Sequence, residues 1–216
     1  MAAIQVLVVA KEPVPGRVKT RLCPPLDPVE AARVAEAALA DTLDAVARCG
    51  ADRRILVLDG RPGSWLSPGF EVVPQAPGPL GARLAAAWRH AGGPAVQLGM
   101  DTPQVTPSLL DDALDLLTGD GGRADRALLG PAEDGGWWAL GLRRWRRGVF
   151  DGVPMSTAHT AARQADRLRS LGLAVTPLPV LRDIDTAADA VAVAAAVPGS
   201  RTAGVVRSVL AGAGLR

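Results

Sequence analysis

Short, almost unbroken apolar runs alternate along the chain with longer stretches whose apolar residues recur every three or four positions. Residues 4–9 form the first such run, of the kind shown by a strand buried on both faces, and strands of that kind belong to parallel sheets flanked by helices. Asp27-Pro28-Val29-Glu30 then predicts a helix start: a capping carboxylate, proline at the first helical position and a glutamate in the first turn. Leu39, Leu43 and Val46 supply its apolar stripe, and Gly50 marks its end. Residues 54–58 and 70–74 read as strands joined by a Gly/Pro/Ser-rich connection, and 80–90 as a short helix. Residues 95–98 give another strand, which breaks into Gly99-Met100-Asp101-Thr102-Pro103 before a helix opening at Thr106-Pro107. Residues 127–129 and 137–142 flank the turn "GPAEDGG", and a helix over about 157–171, a strand over 174–178 and helices from Thr186 and Thr202 complete the chain. The alternation suits right-handed βαβ units, so the expected fold class is α/β, three-layer α/β/α with a mostly parallel central sheet.

Composition narrows the class without changing it. At 216 residues, 48% hydrophobic and 21% charged, with no linker standing out, the chain is expected to form a single domain over 1–216. A formal charge of +2 does not suggest a nucleic-acid partner, and no stretch approaches the ~20 apolar residues of a membrane span. Two cysteines, Cys23 and Cys49, are too few and too unpatterned for a disulfide framework or a zinc site. The N-terminus has neither a basic segment before its apolar run nor a small-residue cleavage signal after it. The expected localisation is cytoplasmic.

In a parallel sheet ligands sit beyond the carboxyl ends of the strands, so the strand-end loops carry the chemistry. The first of them, "KEPVPGRVKTRL", holds Lys11, Arg17, Lys19 and Arg21, and the only two lysines of the chain are among these four. Cations so close repel one another unless an anion lies between them, and a phosphate chain is the natural counter-charge; pairing with surface carboxylates is the alternative. Neither G-x-x-x-x-G-K-S/T nor G-x-G-x-x-G follows the first strand, which disfavours a P-loop NTPase or a dinucleotide oxidoreductase. Asp101 stands at a strand tip ahead of Thr102-Pro103, placed either to hold a divalent cation against phosphate oxygens or to serve as a turn residue. In "GPAEDGGWWALGL", Glu133 or Asp134 could reach a ligand, although Asp-Gly is also a hairpin signal. Trp137 and Trp138 are expected on opposite faces, one in the core and one free to stack on a sugar or base. Asp183 and Asp185 share a face of an extended segment and could both turn toward a metal, unless Asp185 caps the helix after it.

Other constellations carry less. Ser156 and His159 lack a G-x-S-x-G setting, so a catalytic triad is not expected. "RRWRR" reads as a solvated face with Trp145 as its core anchor.

Together, "VVAKEPVPGRVKTRL", "LGMDTPQVTP", "GPAEDGGWWALGL" and "DIDTAAD" resemble a bacterial family of candidate glycosyltransferases in the nucleotide-diphospho-sugar transferase superfamily, whose fold is the glycosyltransferase A type. "VKTRL" is also similar to 2-phospholactate guanylyltransferases, and "DxP" with "DIDT" to molybdenum-cofactor nucleotidyltransferases. The resemblance implies that Lys11, Gly16, Arg17, Lys19 and Arg21 line nucleotide phosphates and that Gly81 and Arg83 lie beside the nucleotide. It implies Asp101 as the metal carboxylate for Mg²⁺ or Mn²⁺, Asp183 or Asp185 near the metal, and Asp134 at the acceptor side, with Asp101, Asp134 and Lys19 as catalytic groups. The implied partners are a nucleotide sugar or nucleoside triphosphate and a small acceptor. The chain departs from the usual Asp-x-Asp of metal-dependent glycosyltransferases, having Asp101-Thr102-Pro103, and from the glycine-rich first loop of sugar-nucleotide pyrophosphorylases. Glycosyl transfer is the first expectation, nucleotidyl transfer the second, and non-catalytic nucleotide binding the third.

Overall fold

A computed structural model of the protein describes residues 3–119 and 125–212. Strands β1 (Gln5–Lys11), β2 (Arg53–Asp59), β3 (Glu71–Pro74), β4 (Ala95–Leu98), β5 (Arg126–Pro131), β6 (Trp137–Leu142) and β7 (Ala174–Pro177) form one sheet in the order β3-β2-β1-β4-β6-β5-β7. The pairs β1–β2, β1–β4, β2–β3 and β5–β7 are parallel, whereas β6 is antiparallel to both β4 and β5. Six of the strands therefore run one way and β6 alone runs back. This agrees with the mostly parallel α/β sheet expected from the apolar runs.

Alternation along the strands splits the core. Val6 and Val8 face a layer built with α1 (Pro28–Arg48) and α3 (Pro107–Thr118), while Leu7, Ile55 and Val57 face α2 (Leu80–Ala91) and α4 (Thr160–Ser170). Helix α6 (Arg201–Gly212) packs on the far side of α1 and α5 (Ala187–Ala196) packs on α6, so that the three share one apolar cluster away from the sheet. Helix α1 is thus buried on two sides, which explains why seven of its buried positions are alanine: Ala31, Ala32, Ala35, Ala37, Ala38, Ala40 and Ala45. Small side chains let neighbours approach from both directions.

The caps form where the sequence places them. Asp27 Oδ1 accepts from the backbone N–H groups of Val29 and Glu30 at 2.7 and 2.8 Å, and Glu30 accepts in return from the Asp27 N–H at 3.0 Å. Thr186 and Asp189 close a second capping box at the start of α5, so Asp185 is not the cap. Most boundaries shift by a residue or two, and three features of the chain bear on the site. β1 continues through Lys11, which pairs with Asp59. α4 starts at Thr160 because the Thr157 N–H bonds the Thr160 hydroxyl at 3.0 Å and holds 157–159 in a bend. β6 has a bulge: Gly130 pairs Ala139 but Pro131 pairs Trp137, leaving Trp138 as the extra residue.

Candidate functional site

Because six strands share a direction, the loops after β1, β4, β5 and β7 emerge at one edge of the sheet. They surround an open cleft of about 940 Å³ beside the switch point between β1 and β4. Its size lies within the range of small-molecule and nucleotide sites.

The basic loop is pinned by apolar residues four apart. Val18 packs on Ala32, Ala35 and Met100, and Leu22 is buried among Val34, Ile184 and Val206. Lys19 lies between these anchors with a left-handed backbone (φ 49°, ψ 37°), ahead of a single 3₁₀ turn at Thr20–Leu22. Its ammonium is 2.5 Å from Asp101 Oδ2 and 3.4 Å from Asp185 Oδ1, and Arg21 holds Asp185 Oδ2 at 3.1 Å. Two further hydrogen bonds bring the distant carboxylates together. The Ile184 N–H donates to the Asp101 carbonyl at 3.2 Å, and the Thr102 hydroxyl donates to Asp183 Oδ1 at 3.3 Å.

Opposite this cluster, Asp134 sits on the β5–β6 turn with Oδ1 bonded to the Gly136 N–H at 2.7 Å. Gly135 between them (φ +87°) lies so close to the Ala158 carbonyl that no Cβ fits, and its own carbonyl accepts from the Ala161 N–H at 2.9 Å. The turn is thereby locked to the segment ahead of α4. Arg83, from the first turns of α2, pairs with Asp59 at 3.2 Å and donates to Gln75, whose amide nitrogen donates to the Ala10 and Val57 carbonyls at 2.6 and 3.1 Å.

Lys11, Arg17, Lys19, Arg21, Arg83, Asp101, Asp134, Asp183 and Asp185 all line the cleft. Gly16 and Gly81 do not. Gly16 occupies open space with φ +76°, and Gly81 faces Phe150 and Met155 on the body of the domain. Glu133 is drawn away by an ion pair with Arg182, which leaves Asp134 as the carboxylate of that turn toward the cleft. Trp138 is buried and donates to the Pro179 carbonyl at 2.9 Å, whereas Trp137 lies on the other side of the sheet, stacks on Phe150 and lines the cleft. Trp145 stacks on Trp88 beneath the arginines of "RRWRR". Ser156 lines the cleft and His159 does not. Gln75 and the Met155–Thr160 wall carry no sequence signal, because their place depends on contacts between strands and loops far apart in the chain.

Charge at the cleft centre is unevenly distributed. Burial and the neighbouring Asp101 push the Asp183 carboxyl up to about 8, with Lys19 opposing the shift. Burial works against the charge on Lys19, but pairing with Asp101 outweighs it and raises its pKa. Among the described residues no three His, Cys, Asp or Glu side chains group closely enough to hold a metal ion by themselves. Asp101 and Asp183 nonetheless fit a hard divalent cation, which commonly takes only one or two protein carboxylates and completes its shell with phosphate and water. Asp183 is the telling member, since among the described residues the one hydrogen bond it accepts is the long one from Thr102. Where no metal is bound, the unfolded Asp183 loses its proton at about pH 3.9 while the folded one keeps it to about 8. The folded state binds more protons across that window, so stability falls as pH rises from about 4 to 8 and is flat above. Solvent reaching the carboxylate trims the effect to about 2–3 kcal/mol. Urea unfolding in chelator at pH 5, 6.5 and 8.5 should show this decline in the parent and lose most of it in Asp183→Asn.

The model of a bacterial family described as an uncharacterized protein conserved in bacteria (DUF2064) matches residues 31–157, more than half of the chain. The chain belongs to the DUF2064 family. That match takes in Asp101 and Asp134 but neither the basic loop nor Asp183, so DUF2064 membership rests on the scaffold and half of the cleft. No curated protein matches the sequence significantly. Among solved structures, the chain is similar to a candidate nucleotide-diphospho-sugar transferase from Desulfovibrio desulfuricans G20, with 27% identity, 96% and 95% of the two chains covered and a TM-score of 0.85. It shares its fold with a nucleotidyl transferase from Methanothermobacter thermautotrophicus (20% identity, 89% and 96% covered, TM-score 0.59). The same holds for glucosyl-3-phosphoglycerate synthase from Mycobacterium tuberculosis, solved with Mn²⁺, UDP and glucosyl-3-phosphoglycerate (13% identity, 100% and 81% covered, TM-score 0.50). The fold is thus that of nucleotide-dependent transferases of the glycosyltransferase A type. No helix among the described residues is long and apolar enough to cross a membrane.

Proposed function

We propose that this protein is a metal-assisted transferase that takes a group from a nucleotide-activated donor, by first reading a sugar from a nucleoside-diphosphate sugar, to a small acceptor. One observation carries the reading: the basic loop after β1 and the carboxylate after β4 meet in one cleft, with Lys19 bonded to Asp101 at 2.5 Å. Likeness to the candidate nucleotide-diphospho-sugar transferase supports it.

Lys11, Arg17 and Arg21 give the diphosphate a cationic bed, and Lys19 adds a buried charge where the departing group gathers negative charge. Asp101 and Asp183 would hold Mg²⁺ or Mn²⁺, which supplies Lewis-acid stabilisation of that leaving diphosphate. Asp134 has one oxygen held by Gly136, which orients the other to take a proton from the acceptor's nucleophile. Trp137 offers an aromatic wall to the sugar or base. No covalent intermediate is needed.

Nucleotidyl transfer is the second reading, and it is favoured by the four cations on or beside one loop, which suit three phosphates as well as two. Thermal-shift screening with nucleotides and nucleotide sugars, with and without Mg²⁺ or Mn²⁺, identifies the donor, because a ligand at 100 times its Kd stabilises by about 2.7 kcal/mol. Product analysis then decides: released nucleoside diphosphate supports glycosyl transfer, and pyrophosphate supports nucleotidyl transfer. Tight binding with neither product would leave a nucleotide sensor. Absence of nucleotide binding both with and without metal would sink the transferase reading.

A further inference from the structure

We infer that Lys19 is a resident counter-ion in the metal position, so that the free protein takes up a divalent cation weakly and nucleotide phosphates open the site by drawing the ammonium off Asp101. The inference deepens the transferase reading and rests on it.

Three observations converge on Lys19. Its ammonium contacts Asp101 at 2.5 Å and Asp185 at 3.4 Å while its side chain is only 9% exposed, so it is a committed partner of the carboxylates rather than a solvated cation nearby. Its left-handed backbone is one that residues with a Cβ rarely adopt, and the fold imposes it by burying Val18 and Leu22 on either side. The free chain offers no three-ligand metal group among its described residues, although Asp101, Asp183 and Asp185 all line one cleft. The ammonium stands where a second cation would have to come.

Chemistry makes the two occupants exclusive. An ammonium is a compact point charge with three donors and no demand on geometry, which lets it neutralise carboxylates in the free state. A divalent cation needs direct contact with the Asp101 oxygen, and a positive charge already bonded there opposes it. A polyphosphate changes the balance, since it gives Lys19 a new anionic partner and supplies the cation with further oxygens. Cation and nucleotide must then favour one another's binding, and to the same degree in both directions. Arg21 provides the contrast: it is 73% exposed, touches Asp185 and makes no contact with Asp101.

The test is Mn²⁺ binding to the full chain, followed by electron paramagnetic resonance of the free ion and by calorimetry, alone and with guanosine or uridine diphosphate. The parent should bind Mn²⁺ at least about tenfold more tightly once the diphosphate is present. Lys19→Met should bind Mn²⁺ alone about tenfold more tightly than the parent and lose most of the enhancement by nucleotide. Arg21→Gln removes the same charge but leaves the Lys19–Asp101 pair, and should move the affinity for Mn²⁺ alone, without nucleotide, by less than about threefold. Lys19→Gln serves as a second variant if Lys19→Met does not fold, and the parent's own coupling requires no variant. Nucleotide that binds without changing Mn²⁺ affinity overturns the inference and leaves the transferase reading standing, as does an equal gain in Lys19→Met and Arg21→Gln. A parent that binds no diphosphate with Mn²⁺ under any condition removes both.

Discussion

Asp101→Asn is expected to abolish the stabilisation of the protein by Mn²⁺ plus nucleotide and to lower turnover about a thousandfold. Two losses combine. The amide keeps the shape of the side chain but gives a divalent cation a far poorer ligand, and it strips Lys19 of its 2.5 Å partner. With only Asp185 left at 3.4 Å, the nearly buried ammonium is under-compensated, and the free protein should lose about 1–2 kcal/mol of stability, a figure discounted for the partial exposure of Asp101. Thermal shifts with and without Mn²⁺ separate these effects: the metal-independent drop in Tm reports the broken pair, and the missing metal-dependent rise reports the lost ligand. An Asp101→Asn protein that binds nucleotide and metal as the parent does would exclude Asp101 from the metal site.

The second large effect is expected at Gly135. Its φ of +87° disfavours any side chain, and a Cβ would run into the Ala158 carbonyl, a backbone atom with no flexible end to yield. Gly135→Ala should therefore destabilise by about 3 kcal/mol or more, or push the 156–159 segment away and carry Asp134 off its orientation. Gly16→Ala is the matched control, since Gly16 also has positive φ (+76°) but nothing within 4 Å of its Cβ position. It should cost only about 1 kcal/mol. Urea unfolding of the two variants measures the difference. Equal losses would mean that the contact with Ala158 does not constrain the turn.

These expectations show which parts of the molecule were legible before its structure. Continuous apolar runs located β1, β2 and β4 because a strand buried on both faces has no polar side to interrupt the pattern, and local capping chemistry located the starts of α1, α3 and α5. The basic loop, Asp101, Asp134 and Asp183 stood out because charge at the tips of apolar strands has few structural uses. What failed to show depends on contacts between distant segments. The pull of Arg182 on Glu133, the locking of Lys19 between Val18 and Leu22, and the seating of α6 on α1 and of α5 on α6 instead of the sheet all belong to packing. Gly81 illustrates the limit in reverse, for its motif is local while its surroundings, Phe150 and Met155, come from about seventy residues further on.

The common heading of six strands has a consequence for how such proteins diversify. The segments that line the cleft gather at one rim of the sheet, most of them loops beyond the hydrogen-bonded ladder. Swapping a rim segment alters what is recognised without disturbing the framework, so substrate choice is free to drift much faster than architecture. A fold shared at 13–20% identity with enzymes of differing chemistry is the pattern that separation leaves behind.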